Sequence, residues 1–127
     1  MFKEVIKEIL KEEMLGGSRT IETCSNETIN KSMIGKHVIV RTYSAGVHFG
    51  TLVDKVNQEA ILKDSRRVYS WQKAASLSQL AMEGSGSIEN CKIAMTVNEI
   101  LLNRVIEIIP MTEMAINNLY GAKEWKA

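Results

Sequence analysis

Cysteine is scarce in this chain: two residues, Cys24 and Cys91, stand far apart and belong to no CxxC or Cys/His pattern. That spacing indicates neither a zinc site nor a disulfide framework, so both read as free thiols. An excess of one charge is also missing, with sixteen Lys and Arg against fifteen Asp and Glu and a formal net charge of +1. No global field draws the chain onto DNA or an acidic membrane, and only a local basic pocket stays open. No window approaches the ~18 apolar residues of a membrane span, and the amino terminus alternates charge where a signal peptide would carry an apolar core. The cytosol is the expected compartment. There is no GxSxG, P-loop or HExxH, and Asp54, Asp64, Glu83, Glu99 and Glu107 are scattered singly. Catalysis is therefore not expected. His37 and His48 lack a third ligand at useful spacing, so no metal site is expected, and no cofactor.

What is present is an ordinary globular composition. Apolar residues make up 45% and charged residues 24% of 127, enough for a core in one domain that partner chains could still enlarge. In "MFKEVIKEILKEEMLGG", Phe2, Val5, Ile6, Ile9, Leu10 and Met14 line one helical face and Gly16 and Gly17 stop it, so residues 1–17 read as an amphipathic helix. Residues 18–34 read as a linker or short helix that Ser25 or Thr28 would cap. From Gly35 the texture changes to β-branched residues, and residues 35–127 read as a single α+β domain.

Within it, "KHVIVRTY" and "VHFGTLVDKV" enclose the turn "SAG" and form a hairpin. "EAILKD" and "RRVYSW" read as two further strands, with "VNQ" and "DS" as turns, so four strands occupy residues 36–71. The expected fold class is α+β, a small curved antiparallel sheet or partial barrel, with short helices after strand 4 and at the C-terminus. The first of these is signed by Ser76 and Gln79 at capping-box spacing and closed by Gly84; the second by Pro110, the cap Thr112, the pair Met111 and Ile116, and Gly121. "CKIAMTV" and "VIEIIPM" read as strands. "EILLNRVIEII" also fits helical spacing, but its β-branched density favours strand.

Strand alternation puts Arg41 and Tyr43 on the face of Ile39, and Arg67, Tyr69 and Trp71 together on another. A nucleotide needs flat apolar surface for its base, where stacking is worth ~1–3 kcal/mol, and cations or N–H groups for its phosphates. Both kinds of group occur here, and the capped helix start at Ser76 lies near Trp71 and Lys73 in sequence. The plainer reading of the same stretch is a core edge, with Tyr69 and Trp71 packed and Arg66 and Arg67 snorkelling over it. "SAG" followed by His48 poses a similar choice between an ordinary turn and a bare backbone that a ligand approaches.

The strings "IGKHVIVRTYSAGVHFGTL", "LKDSRRVYSW", "AASLSQLAMEG" and "CKIAMTVNEILLNRVIEIIPMTEMA" resemble the anti-Thoeris sponge proteins, a phage and prophage family, over residues 34–127. The resemblance implies a binder that sequesters glycocyclic ADP-ribose, the signal of Thoeris TIR-domain enzymes, and releases it intact. It also implies a homo-oligomer, a dimer or dimer-based assembly, working in the cytoplasm of the infected or lysogenic host. Some members hold cyclic oligonucleotides in separate sites. On this resemblance the ligand-binding set is Arg41, Tyr43, His48, Arg66, Arg67, Tyr69, Trp71 and Lys73, with Ser76 and Asn103 as hydroxyl and amide donors. The family often carries "ARRIWYW" where this chain has "SRRVYSW", and acidic or hydroxyl residues at Asn103 and Arg104, which leaves ligand preference open. The alternatives are a single-stranded nucleic-acid module and a direct protein inhibitor of a host defence component; DNA and membrane are not expected partners.

Overall fold

β-branched residues set the first strands: β1 (His37–Thr42) carries Val38, Ile39 and Val40 in succession, and β2 (Val47–Val56) returns antiparallel beside it, His37 opposite Thr51 and Arg41 opposite Val47. The computed structural model describes Ile29 and residues 31–127. The N-terminal helix expected at residues 1–17, and most of the 18–34 linker, lie outside the described residues. The Ser32 N–H and hydroxyl both donate to the Ile29 carbonyl. Residues 33–127 form one unit.

That unit is α+β. Six antiparallel strands make one open sheet, joined by β3 (Glu59–Ser70), β4 (Lys92–Ile93), β5 (Val97–Leu102) and β6 (Val105–Pro110), in the order β4-β3-β2-β1-β6 with β5 also on β3. Two helices, α1 (Leu77–Glu83) and α2 (Glu113–Tyr120), complete it. A 3-10 turn at Ile88–Asn90 leads into β4. Because β5 lies beside β3 and β6 beside β1, the two residues Asn103 and Arg104 must join opposite margins of the sheet. Three Cα steps reach roughly 11 Å at most, so the sheet curls. The Arg104 carbonyl accepts from Tyr43 N–H at 2.9 Å, and Val105 N–H donates to Gln58 at 2.8 Å across that corner.

Both faces of the sheet are buried. Ile39, Phe49, Val68 and Ile93 pack with Leu80 and Ala81 of α1 and Leu119 of α2. Val38, Val40, Leu52, Ala60, Leu62, Leu102 and Val105 fill the curled side. Each large apolar side chain so buried contributes ~1.5–3 kcal/mol, which makes these two clusters the main stabilising term.

The expected turn at "DS" is absent. Asp64 takes φ 52 inside a continuous β3, a bulge that adds one residue between Lys63, opposite Thr51, and Arg66, opposite Phe49. Strands 3 and 4 of the sequence reading are therefore one strand, and α1 follows strand 3. The added residue also changes which face each side chain takes: Leu62 enters the curled-side core while Arg66 and Val68, at even spacing from it, lie on the helix side. Gly50 faces the bulge, where a Cβ would stand 2.8 Å from the Lys63 carbonyl. "CKIAMTV" is strand at Lys92–Ile93 and again at Val97, where β5 begins and runs into the stretch in which helix and strand spacing competed.

Both helix signatures hold. Ser76 Oγ accepts from Gln79 N–H at 3.2 Å, while Gln79 Oε1 reaches back to Ala75 N–H, one residue earlier than a capping box predicts. Thr112 caps α2 by accepting from Ala115 N–H and donates to the Met82 carbonyl, tying α2 to α1. Asn118 accepts from Ser85 N–H and donates to its carbonyl. Cys91 is a half-buried free thiol whose Sγ lies 3.2 Å from Ser85 Oγ. Among the described residues no helix is long and apolar enough to cross a membrane, and no group of three or more His, Cys, Asp and Glu could hold a metal ion.

Candidate functional site

Adjacent strand residues point oppositely, and the two consecutive arginines show it. Arg66 is 3% exposed, and its guanidinium donates to the carbonyls of Ile93, Ala94, Leu119, Tyr120 and Ala122 at 2.7–3.3 Å. It ties β4 to the carbonyl end of α2. Burial lowers its pKa, with Glu124 and Tyr120 opposing. Arg66, expected in the ligand-binding set, thus stands in the structure as a clamp between β4 and α2.

Arg67 takes the other face. It sits directly opposite His48 and its guanidinium carbon lies 4.9 Å from the Tyr69 ring centroid. Tyr69 in turn meets Trp125 at 5.0 Å and a 58° tilt, and Lys92 Nζ stands 5.5 Å from the Trp125 ring. Tyr69 and Trp125 are each about half exposed. The result is an open row of cation, aromatic, aromatic and cation. Its third residue depends on the tail: Trp125 N–H donates to the Ile93 carbonyl at 2.9 Å and Glu124 bridges Ile93 in parallel.

Trp71 does not share that face. It leaves β3 after Ser70, packs on the helix-side core and donates from its indole to the Ala74 carbonyl at 3.2 Å. Alternation lapses because the β3–β4 register shifts between Val68 and Ser70. Sequence reasoning missed Trp125, whose only signal was an aromatic between Lys123 and Lys126 beyond the last helix.

The "SAG" turn joins this row. Gly46, at φ 85, lies so close to the Arg67 guanidinium that a Cβ would stand 3.2 Å from Nη2. The bare backbone there accommodates a side chain of the protein itself. Thr42 closes the turn, its N–H and hydroxyl donating to the Gly46 carbonyl and its Oγ1 accepting from Ala45 N–H. His48 is buried beneath, its Nε2 2.9 Å from the Ala45 carbonyl. Burial chiefly lowers its pKa, Arg67 adds to that, and the Ala45 contact opposes.

On the far side of the turn Tyr43 is 71% exposed, with the Arg104 guanidinium carbon 5.4 Å from its ring centroid. Tyr43, Gln58, Arg104, Val105 and Ile106 line a cleft of ≈ 380 Å³. Arg41 is exposed but paired to Glu107 at 2.8 Å. Lys73 is exposed and lies elsewhere, beside a groove with Gln79, Glu83 and Met114; Ser76 is committed to capping α1, and Asn103 is exposed at the corner next to Arg104. Of the ten residues expected from sequence, exposed Tyr69 and Tyr43 and half-buried Arg67 thus form the rim, with His48 under it.

No curated protein matches the chain, and no solved structure matches it. Residues 35–119 match the family model described as "Domain of unknown function (DUF6948)", a span of well over half the chain that ends before Trp125, and the chain belongs to that family.

Proposed function

We propose that this chain is a non-catalytic binder that sequesters a cyclic ADP-ribose type signal, glycocyclic ADP-ribose, and so keeps a Thoeris effector from being activated in an infected or lysogenic bacterial host. The observation that carries the reading is the row Arg67–Tyr69–Trp125–Lys92. Two tilted aromatic faces suit one adenine, whose stacking is worth ~1–3 kcal/mol. Arg67 and Lys92 flank them as charge partners for a pyrophosphate, the arginine offering a bidentate fork. The curled sheet then acts as a partial barrel whose rim carries the site, and assembly as a homo-oligomer belongs to the same reading. The ligand class comes from the sequence resemblance; the row supplies the matching chemistry.

The test is capture and release. The full chain is mixed with glycocyclic ADP-ribose, freed of unbound ligand, heat-denatured, and the supernatant quantified. About one equivalent of intact signal per site is expected, and Arg67→Ala or Trp125→Ala should abolish retention. Degraded signal, or none retained by the unaltered protein, would overturn the proposal.

A further inference from the structure

Three cation–aromatic pairs occur among the described residues, and they fall along one rim. Lys92 stands over Trp125, Arg67 over Tyr69 and Arg104 over Tyr43. Tyr69 and Trp125 are in direct contact. The 43–46 turn links the remaining pair, because Arg67 presses on Gly46 at one end of it and Tyr43 begins the other. A single cyclic dinucleotide-sized ligand has no use for the third pair. A polymer that alternates bases and phosphates does, because each base offers a π-face and each phosphate a charge.

We infer that the rim from Lys92 and Trp125 to Tyr43 and Arg104 binds single-stranded nucleic acid, stacking successive bases on Trp125, Tyr69 and Tyr43. This goes beyond signal capture and stands on the Tyr43–Arg104 pair, which lies outside the Arg67–Tyr69–Trp125–Lys92 row that carries the capture reading. Backbone geometry favours the arrangement, since Arg104 is held at φ 55 with its carbonyl on Tyr43 N–H. The near-zero net charge of +1 sets the character of the binding. Arg41 is neutralised by Glu107, leaving Arg67, Lys92 and Arg104 as the rim's phosphate partners, so stacking rather than a basic field supplies most of the affinity.

Fluorescence anisotropy with 5′-labelled oligothymidylate and oligouridylate of about ten nucleotides tests this over about 50–200 mM salt. Both should bind, with a log–log salt slope of about −2, three phosphate contacts at roughly 0.7 each on a single strand. Tyr43→Ala should weaken binding about tenfold or more, and Arg104→Ala, outside the set expected for the signal, should weaken it while leaving capture of glycocyclic ADP-ribose unchanged. Tyr43 is mostly solvent-exposed, and an unshifted thermal melt will show that the variant folds. Trp125→Ala should weaken both ligands. Oligomers that bind no tighter than the mononucleotides, or a Tyr43→Ala variant that binds them normally, would overturn the inference. If oligomers bind and the cyclic signal does not, the rim stands and sequestration falls; the reverse result leaves sequestration and removes the strand.

Discussion

Tyr120 Oη donates to the Asp64 carbonyl at 2.7 Å, so the last residue of α2 holds the bulge that bends β3. Phe49 and His37 pack edge-on against the same ring at 4.8 and 5.8 Å. Burial, with the Asp64 carboxylate nearby, pushes Tyr120 up to about 12. The phenol therefore stays protonated as a donor through the neutral range. Tyr120→Phe keeps the ring and removes the donor, and should cost about 1 kcal/mol in chemical denaturation. Because the folded value is raised, stability is fully present below the unfolded value near 10 and is lost as pH rises through about 12. The variant should lack that part of the alkaline loss; an identical alkaline profile would contradict it.

Ser65 follows the bulge, almost wholly buried, and its Oγ has no partner. An unpaired buried hydroxyl costs stability, so Ser65→Ala should be neutral or stabilising by up to about 1 kcal/mol. Gly50→Ala, facing it, should destabilise, since the new Cβ meets backbone that cannot yield cheaply. Urea midpoints of the two variants should move in opposite directions or, for serine, stay still.

Arg66→Ala should destabilise by roughly 3 kcal/mol or more, because it strands buried carbonyls on both β4 and α2. Arg66→Lys should not rescue it, as one ammonium cannot span five acceptors in two directions. Thermal melts of both variants check this; a silent alanine substitution would mean the clamp is dispensable.

The two tryptophans should separate stability from affinity. Trp71→Ala opens the helix-side core and should lower the melting temperature clearly, while Trp125→Ala, at a half-exposed position, should barely move it. Loss of ligand retention should track Trp125. Equal thermal losses for the two would place Trp125 in the core instead.

His48 is held below the ordinary histidine range, mainly by burial. The unfolded chain then takes the proton more readily, so stability is present above the ordinary value near 6.5 and is lost as pH falls through the lowered folded value. The urea midpoint should drop from about pH 7.5 to about pH 5.5, and His48→Gln should show a smaller drop. Parallel profiles would remove His48 from the acid response.

Local signals carried most of the fold. The "SAG" hairpin, the Ser76 and Thr112 caps and the terminal glycines depend on neighbours a few residues away, and all three devices stand where the sequence places them. "DS" misled because a left-handed aspartate serves a turn and a bulge equally well, and only pairing with β2 distinguishes them. The roles of Arg66 and Arg67 were illegible for the same reason: one added residue decides which arginine faces the helices. Trp125 was out of reach because its place rests on a tail-to-β4 contact more than thirty residues distant.

The matched family segment ends at Leu119, yet Tyr120, Ala122 and Trp125 lie past it. A version trimmed at that boundary would keep every strand and nearly all of α2 while removing two of the Arg66 acceptors and half of the aromatic platform. Homology boundaries and working boundaries differ here by only a few residues. Any shortened protein, chimera or terminal fusion should therefore leave the final eight residues intact and place its join at the other end.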